Sequence, residues 1–84
     1  MKNYYEPGDR VRIEIVEEFE WLVSIELKKF YQDDLGREKI LSDLELNPEG
    51  TVKAVKEGTG HLEVLYQPDG HKHSWWIPTS IIKP

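Results

Sequence analysis

His71 and His73 are the first side chains whose spacing suggests chemistry. Residues two apart on a strand point to one face, and two imidazoles on one face can chelate a metal ion. A complete site needs three or four ligands. If the turn signal Gln67-Pro68-Asp69-Gly70 sets the register of the returning strand, His61 pairs near Ile77. It then lies about 20 Å along the strand from His71, at about 3.3 Å per residue. Asp69 is the one carboxylate close by. Two histidines beside a turn read as solvated side chains, so no metal and no cofactor are expected.

Nucleophilic catalysis needs a hydroxyl or thiol within reach of a base. Ser74 follows His73 directly, and adjacent strand residues face opposite ways. Ser24, Ser42, Thr51, Thr59, Thr79 and Ser80 have no base that the sequence places beside them. Glu14, Glu17, Glu18 and Glu20 supply clustered carboxylates. A carboxylate pair works inside a cleft, and 84 residues are too few to build a deep one. A solvated helix face accounts for these acids, and no enzyme is expected.

The pair Trp75-Trp76 is more informative. The same turn-based register puts Trp76 on the face of Leu62 and Val64, and so in the core. Trp75 then points to the other side, near Leu65. Two readings of Trp75 follow. It is an exposed interface anchor, or it packs beneath the segment between the first two strands, against Trp21 or Phe30. Tyr4, Tyr5, Tyr31 and Tyr66 add aromatic surface of the kind that peptide or methylated-amine grooves use, with core and rim packing as the alternative. The expected contact residues are Trp75, Tyr66, Trp21 and Tyr31. Glu17, Glu18 and Glu20 would steer a basic partner.

Charge supports that choice of partner. The net charge is −5, and residues 1–47 hold twelve acids and seven bases against four of each in residues 48–84. No Lys/Arg cluster is available to neutralise phosphates, so no direct DNA contact is expected. The acidic half would be repelled by an anionic membrane and attracted to a basic protein patch. There is no cysteine, hence no disulfide and no thiolate zinc site. No apolar run approaches the roughly 20 residues of a membrane span. The opening MKNYYEPGD lacks a signal-peptide core, and a cytoplasmic protein is expected.

These side chains must be positioned by one small domain, residues 1–84. Pro7-Gly8-Asp9 is a turn, and Arg10 to Ile15 alternates polar and apolar, which predicts a strand. Residues 16–32 fit two patterns. As a helix, Val16, Phe19, Leu22, Val23, Leu27 and Phe30 share one face, with Trp21 and Ile25 off it. As a strand, Phe19, Trp21, Val23, Ile25 and Leu27 alternate. The length favours helix, as do early glutamates and the late lysines Lys28 and Lys29. Asp33-Asp34-Leu35-Gly36 reads as a breaker, followed by a short helix over Arg37–Leu46 with Ile40, Leu41 and Leu44 inward. Asn47-Pro48-Glu49-Gly50 is a turn. Strands are predicted over Thr51–Lys56, His61–Tyr66 and His71–Ile77. The hairpin loop Glu57-Gly58-Thr59-Gly60 joins the first two of these, and the Gln67–Gly70 turn joins the last two. Pro78-Thr79-Ser80 makes a corner, often one 3₁₀ turn, before a last short strand at Ile81–Lys83.

Several of these stretches resemble SH3-like small barrels. Pro7-Gly8-Asp9-Arg10-Val11-Arg12-Ile13 is similar to their opening strand, and Glu49-Gly50-Thr51-Val52-Lys53-Ala54-Val55 to their second. Gly60-His61-Leu62-Glu63-Val64-Leu65-Tyr66, then Asp69-Gly70 and Trp76-Ile77-Pro78, resemble the third and fourth. Ser80-Ile81-Ile82-Lys83-Pro84 resembles the closing one. KOW-like barrels, mind-bomb-type SH3-like modules and short uncharacterised bacterial and phage barrels share this order. The likeness leaves out the segment from about Val16 to Asn47, which takes the place of a loop. It implies a mainly β fold with a helical insertion, an antiparallel meander of about five strands closed as a small barrel. The motifs are set by turns and core, so they speak for fold and hardly for function.

The expected function is a non-enzymatic protein-binding module or small adaptor, as monomer or homodimer. Three alternatives accompany it. One is an acidic, phage-type inhibitor of a nucleic-acid-binding host protein, its carboxylates imitating phosphates. A second is a nucleic-acid-associated KOW-like accessory domain. The third is a small metal-dependent enzyme.

Overall fold

Alternating apolar residues on the strands from Arg10 to Pro78 need a cover, and two helices supply it. The computed structural model describes residues 4–58 and 61–83, with Glu17, Glu18, Phe19, Gly58 and His61 described by backbone. The elements are β1 (Arg10–Arg12), α1 (Glu17–Lys28), α2 (Asp34–Leu46), β2 (Glu49–Gly58), β3 (His61–Pro68), β4 (Trp75–Pro78) and a 3₁₀ turn at Thr79–Ile81. The strands form one antiparallel sheet in the order β1-β2-β3-β4.

The fold is therefore α+β, with four strands rather than about five and an open sheet rather than a closed barrel. Two features account for the difference. The expected strand over Arg10–Ile15 ends at Arg12, because its partner β2 begins at Glu49, opposite Arg12. The expected last strand is taken up by the 3₁₀ turn, so the chain end meets β1 at one isolated bridge, Ile13 to Ile82. The Glu14 amide donates to the Ile81 carbonyl at 2.7 Å and the Lys83 amide to the Arg12 carbonyl at 2.7 Å. Those bonds tie the ends together without extending into a ladder. Thr59 and Gly60 of the predicted hairpin loop lie outside the described residues; Gly58 and His61 flank them as a pair.

Residues 17–28 are helical, as length and charge order favoured over the strand reading. Val23 and Leu27, four apart, are buried, consistent with the 3.6-residue period. The second helix starts three residues earlier than expected. Asp33 does not break the chain there. Its carboxylate accepts the Gly36 amide, which makes it the N-cap. Arg37 then donates to the carbonyls of Tyr31 at 2.9 Å and Gln32 at 3.1 Å, fixing the short connection between the helices. Ile40, Leu41 and Leu44 face inward, as predicted.

One core joins the helices to the inner face of the sheet. Its sheet side is built from cross-strand rows: Val55–Val64–Ile77 and Val52–Tyr66–Trp75. Val52, Val64 and Tyr66 are fully buried. Tyr66 donates its hydroxyl to the Pro48 carbonyl at 2.8 Å. Burial pushes its pKa well above the usual phenol range, so the group stays protonated and remains a donor. Its ring occupies the space beside Gly50. A Cβ there would come within 2.5 Å of the ring and 2.4 Å of the Gln67 carbonyl.

On the outer face, Arg10 clamps Asp69 with two hydrogen bonds of 2.7 and 2.6 Å, and reaches Thr51 at 2.9 Å. The clamp spans from β1 across β2 to the chain just past β3. The guanidinium, chiefly through these hydrogen bonds, holds the Asp69 carboxyl below its ordinary range.

Two predictions follow from these contacts. Gly50→Ala should lower stability by ~1–3 kcal/mol through overpacking, more than the ~1 kcal/mol expected for Tyr66→Phe; urea midpoints of the two variants give the order. Asp69 has a lower pKa folded than unfolded, so its contribution is complete above the unfolded aspartate range near about 4 and is lost as pH falls through the folded value. Asp69→Asn should melt below the parent at pH 7, and the two melting curves should converge in acid. A gap that persists unchanged in acid would show that the charge is not its cause.

Candidate functional site

The structure divides the sequence-predicted contact residues into two groups. Trp75 and Tyr66 are core residues, 1 % and 0 % exposed. They stand opposite each other on β4 and β3. Tyr31 is half-buried at the core margin. Trp21 is 58 % exposed on α1, and Glu20 beside it is exposed. Glu17 and Glu18 lie in the first turn of the same helix, and their side chains fall outside the described ones.

Trp75 is thus not an exposed anchor; the packing alternative holds. The Phe30 ring meets it edge-on at 6.2 Å between centroids. Phe30 also lies 4.7 Å from the His73 ring, and Tyr31 is edge-on to His73 at 5.7 Å. His71 sits 6.1 Å from Trp75. The two histidines are in the connection before β4, not on a strand, and each is engaged with aromatic rings. The indole N–H of Trp75 has no hydrogen-bond acceptor among the described residues.

Trp76 changes places with Trp75. Expected in the core, it lies half-exposed on the outer face, in the row Ala54–Leu65–Trp76. Lys56 sits over its ring at 4.2 Å, a cation–π contact that covers part of the indole. The cause is register. The chain leaves β3 at Pro68 and re-enters the sheet only at Trp75, so Ile77 pairs with Val64 rather than with His61. A slip by an odd number of residues exchanges the faces. The missed signal was the polar run Gly70–Ser74, long enough to be a loop.

The described residues hold no group of three or more His, Cys, Asp or Glu placed to bind a metal ion. Two clefts lie among the described residues. One, of about 190 Å³, lies between the end of β1 and α2 and is lined by Arg12, Glu14, Glu45 and Lys83 among others. The second, about 250 Å³, lies along Arg10–Arg12 and Glu49. Both are smaller than the roughly 300–1,000 Å³ of typical small-molecule sites. Among the described residues no helix is long and apolar enough to cross a membrane.

An apolar strip lies on α1, and Leu35, Leu46 and Tyr4 are exposed elsewhere among the described residues. Trp21 and Ile25, one turn apart, are 58 % and 52 % exposed on the side away from buried Val23 and Leu27. Trp21 and Ile25 thus form an exposed apolar pair on one helix face.

Trp75→Ala should cost ~3–5 kcal/mol, the usual loss for a buried large aromatic, and a calorimetric melt would read it. A change of less than about 1 kcal/mol would contradict the core placement. Comparison of the chain with protein-family models, with curated proteins and with solved structures finds no match.

Proposed function

We propose that this chain is a non-enzymatic protein-binding module whose contact surface is the outer face of α1. The observation that carries the reading is the exposed pair Trp21 and Ile25 on a helix whose other face is well buried. Tryptophan is among the residues that dominate binding energy at interfaces. The acidic start of the helix, Glu17, Glu18 and exposed Glu20, favours a partner with a basic patch and would speed its approach. Trp75 and Tyr66 serve this surface indirectly, as the core against which the chain around α1 packs.

We also propose kinship with the SH3-like modules, in an open form. What supports it is the four-strand antiparallel meander, the 3₁₀ turn after β4 and the return of the chain end to β1.

Substitution at an exposed position changes stability by less than about 0.5 kcal/mol as a rule. Trp21→Ala should therefore leave the melting temperature almost unchanged while weakening partner binding about 30-fold, the effect of a hot-spot residue. Capture from native cells on immobilised parent and variant, followed by titration of the captured protein, measures this. If the variant retains every captured protein at parental affinity, the outer face of α1 is not the contact surface.

A further inference from the structure

The outer strip of α1 has a charge order that is complementary to itself. Positions 18, 21, 25 and 28 are spaced three, four and three apart, the seam spacing of paired helices. They hold Glu18, Trp21, Ile25 and Lys28. The two apolar residues are exposed in the middle. An acid occupies the first turn and an exposed lysine the last. Set a second copy of this helix antiparallel, with its midpoint over residue 23. Trp21 then faces Ile25 of the other copy, and Glu18 faces its Lys28. Both pairings occur twice, as two-fold symmetry requires. A parallel arrangement would instead oppose like charges at each end. Outside the seam, Lys29 is held by Glu26 of its own chain at 2.7 Å, so Lys28 is the lysine that carries the cross-pairing.

We propose that the partner of this surface is a second copy of the same chain, docked through antiparallel α1 helices. The proposal rests on the protein-binding reading of that face and names its occupant. The basic patch that the acidic helix start seeks is the lysine end of the other copy. Size sets the strength. Twelve residues of helix are about 18 Å long, and a contact of that length falls below the roughly 1,200 Å² of a standard stable interface. The dimer is therefore weak, with a dissociation constant on the order of 100 µM, and forms by concentration.

Sedimentation equilibrium of the full chain from about 10 µM to about 1 mM spans that range. The parent should pass from monomer to dimer, and Trp21→Ala should remain monomeric. Glu18→Lys and Lys28→Glu should each weaken self-association by roughly fivefold, since each places two like-charged pairs across the seam. Mixed in equal amounts, the two variants should associate again, because every seam pair in the mixed dimer is then of opposite sign. Restored association by two singly impaired chains does not arise from loss of folding, and melting curves of each variant accompany the measurement. A parent that stays monomeric at about 1 mM, or a mixture no tighter than its components, overturns self-pairing. In that event, loss of a captured protein by Trp21→Ala would still uphold the protein-binding reading. Retention of all captured proteins would end both.

Discussion

The row Val52–Tyr66–Trp75 is the constraint on which the rest of the molecule depends. Three neighbouring strands contribute one residue each, and all three are almost wholly buried. Large rings in that row fix their surroundings. Tyr66 needs an acceptor for its buried hydroxyl and takes the Pro48 carbonyl, at the mouth of β2. Its ring needs room and takes it at Gly50, where a side chain would collide. Trp75 brings Phe30 to its edge, and so brings the end of the α1 segment onto the sheet. The helices are therefore not an ornament between two strands. They are the cover without which the inner row would face water, at a cost of roughly 25 cal/mol for each Å² of apolar surface.

A bulge in β2 makes that inner face continuous. Val52 pairs with Tyr66, but the next pairing is Ala54 with Leu65, and Lys53 is the extra residue. Val52 and Val55 are three apart, and in a regular strand they would point to opposite sides. With one residue bulged out, both face the core side. The exposed lysine goes to solvent, and Ala54 joins Leu65 and Trp76 on the outer face. That outer row is apolar, and the sheet is open. Lys56 over Trp76 and the Arg10–Asp69 clamp place charge on the same face, a common means of discouraging sheet-to-sheet association.

Much of this was legible in the chain because local signals and tertiary demands agree. Ile40, Leu41 and Leu44 announce their helix face, and the apolar alternation of Val64 and Tyr66 announces their side of β3. The Thr79–Ile81 turn fell where Pro78-Thr79-Ser80 suggested. What misled was turn chemistry. Pro68-Asp69-Gly70 does turn, with Gly70 at a positive φ of 82°, where glycine alone is at ease. Yet the strand does not resume after it. Four further residues pass before Trp75 pairs with Tyr66. His73 in that stretch settles against Phe30 and Tyr31, contacts between distant parts of the chain that no local pattern encodes. Hence the local pattern places the two tryptophans on each other's faces, with the core residue Trp75 outward and the surface residue Trp76 inward. Asp33 was likewise ambiguous in isolation. Aspartate ends helices in one context and caps their start in another, and only the Gly36 amide three residues on decides which.

The exposure of Trp21 goes with the face that α1 turns to the sheet. The helix has two apolar stripes on opposite sides. One holds Val23 and Leu27, the other Trp21 and Ile25. A helix lying on a flat sheet can bury one of them. Turning it to bury Trp21 would bring Lys28, which shares that stripe, towards the core, and burying an ammonium without a partner is far costlier than exposing a ring. The Val23–Leu27 stripe runs on instead to Phe30 and carries no such lysine at its end. The sheet thus receives the Val23–Leu27 stripe, and the Trp21–Ile25 stripe is left outward. Trp21 therefore lies outside the buried core, 58 % exposed on the outward stripe.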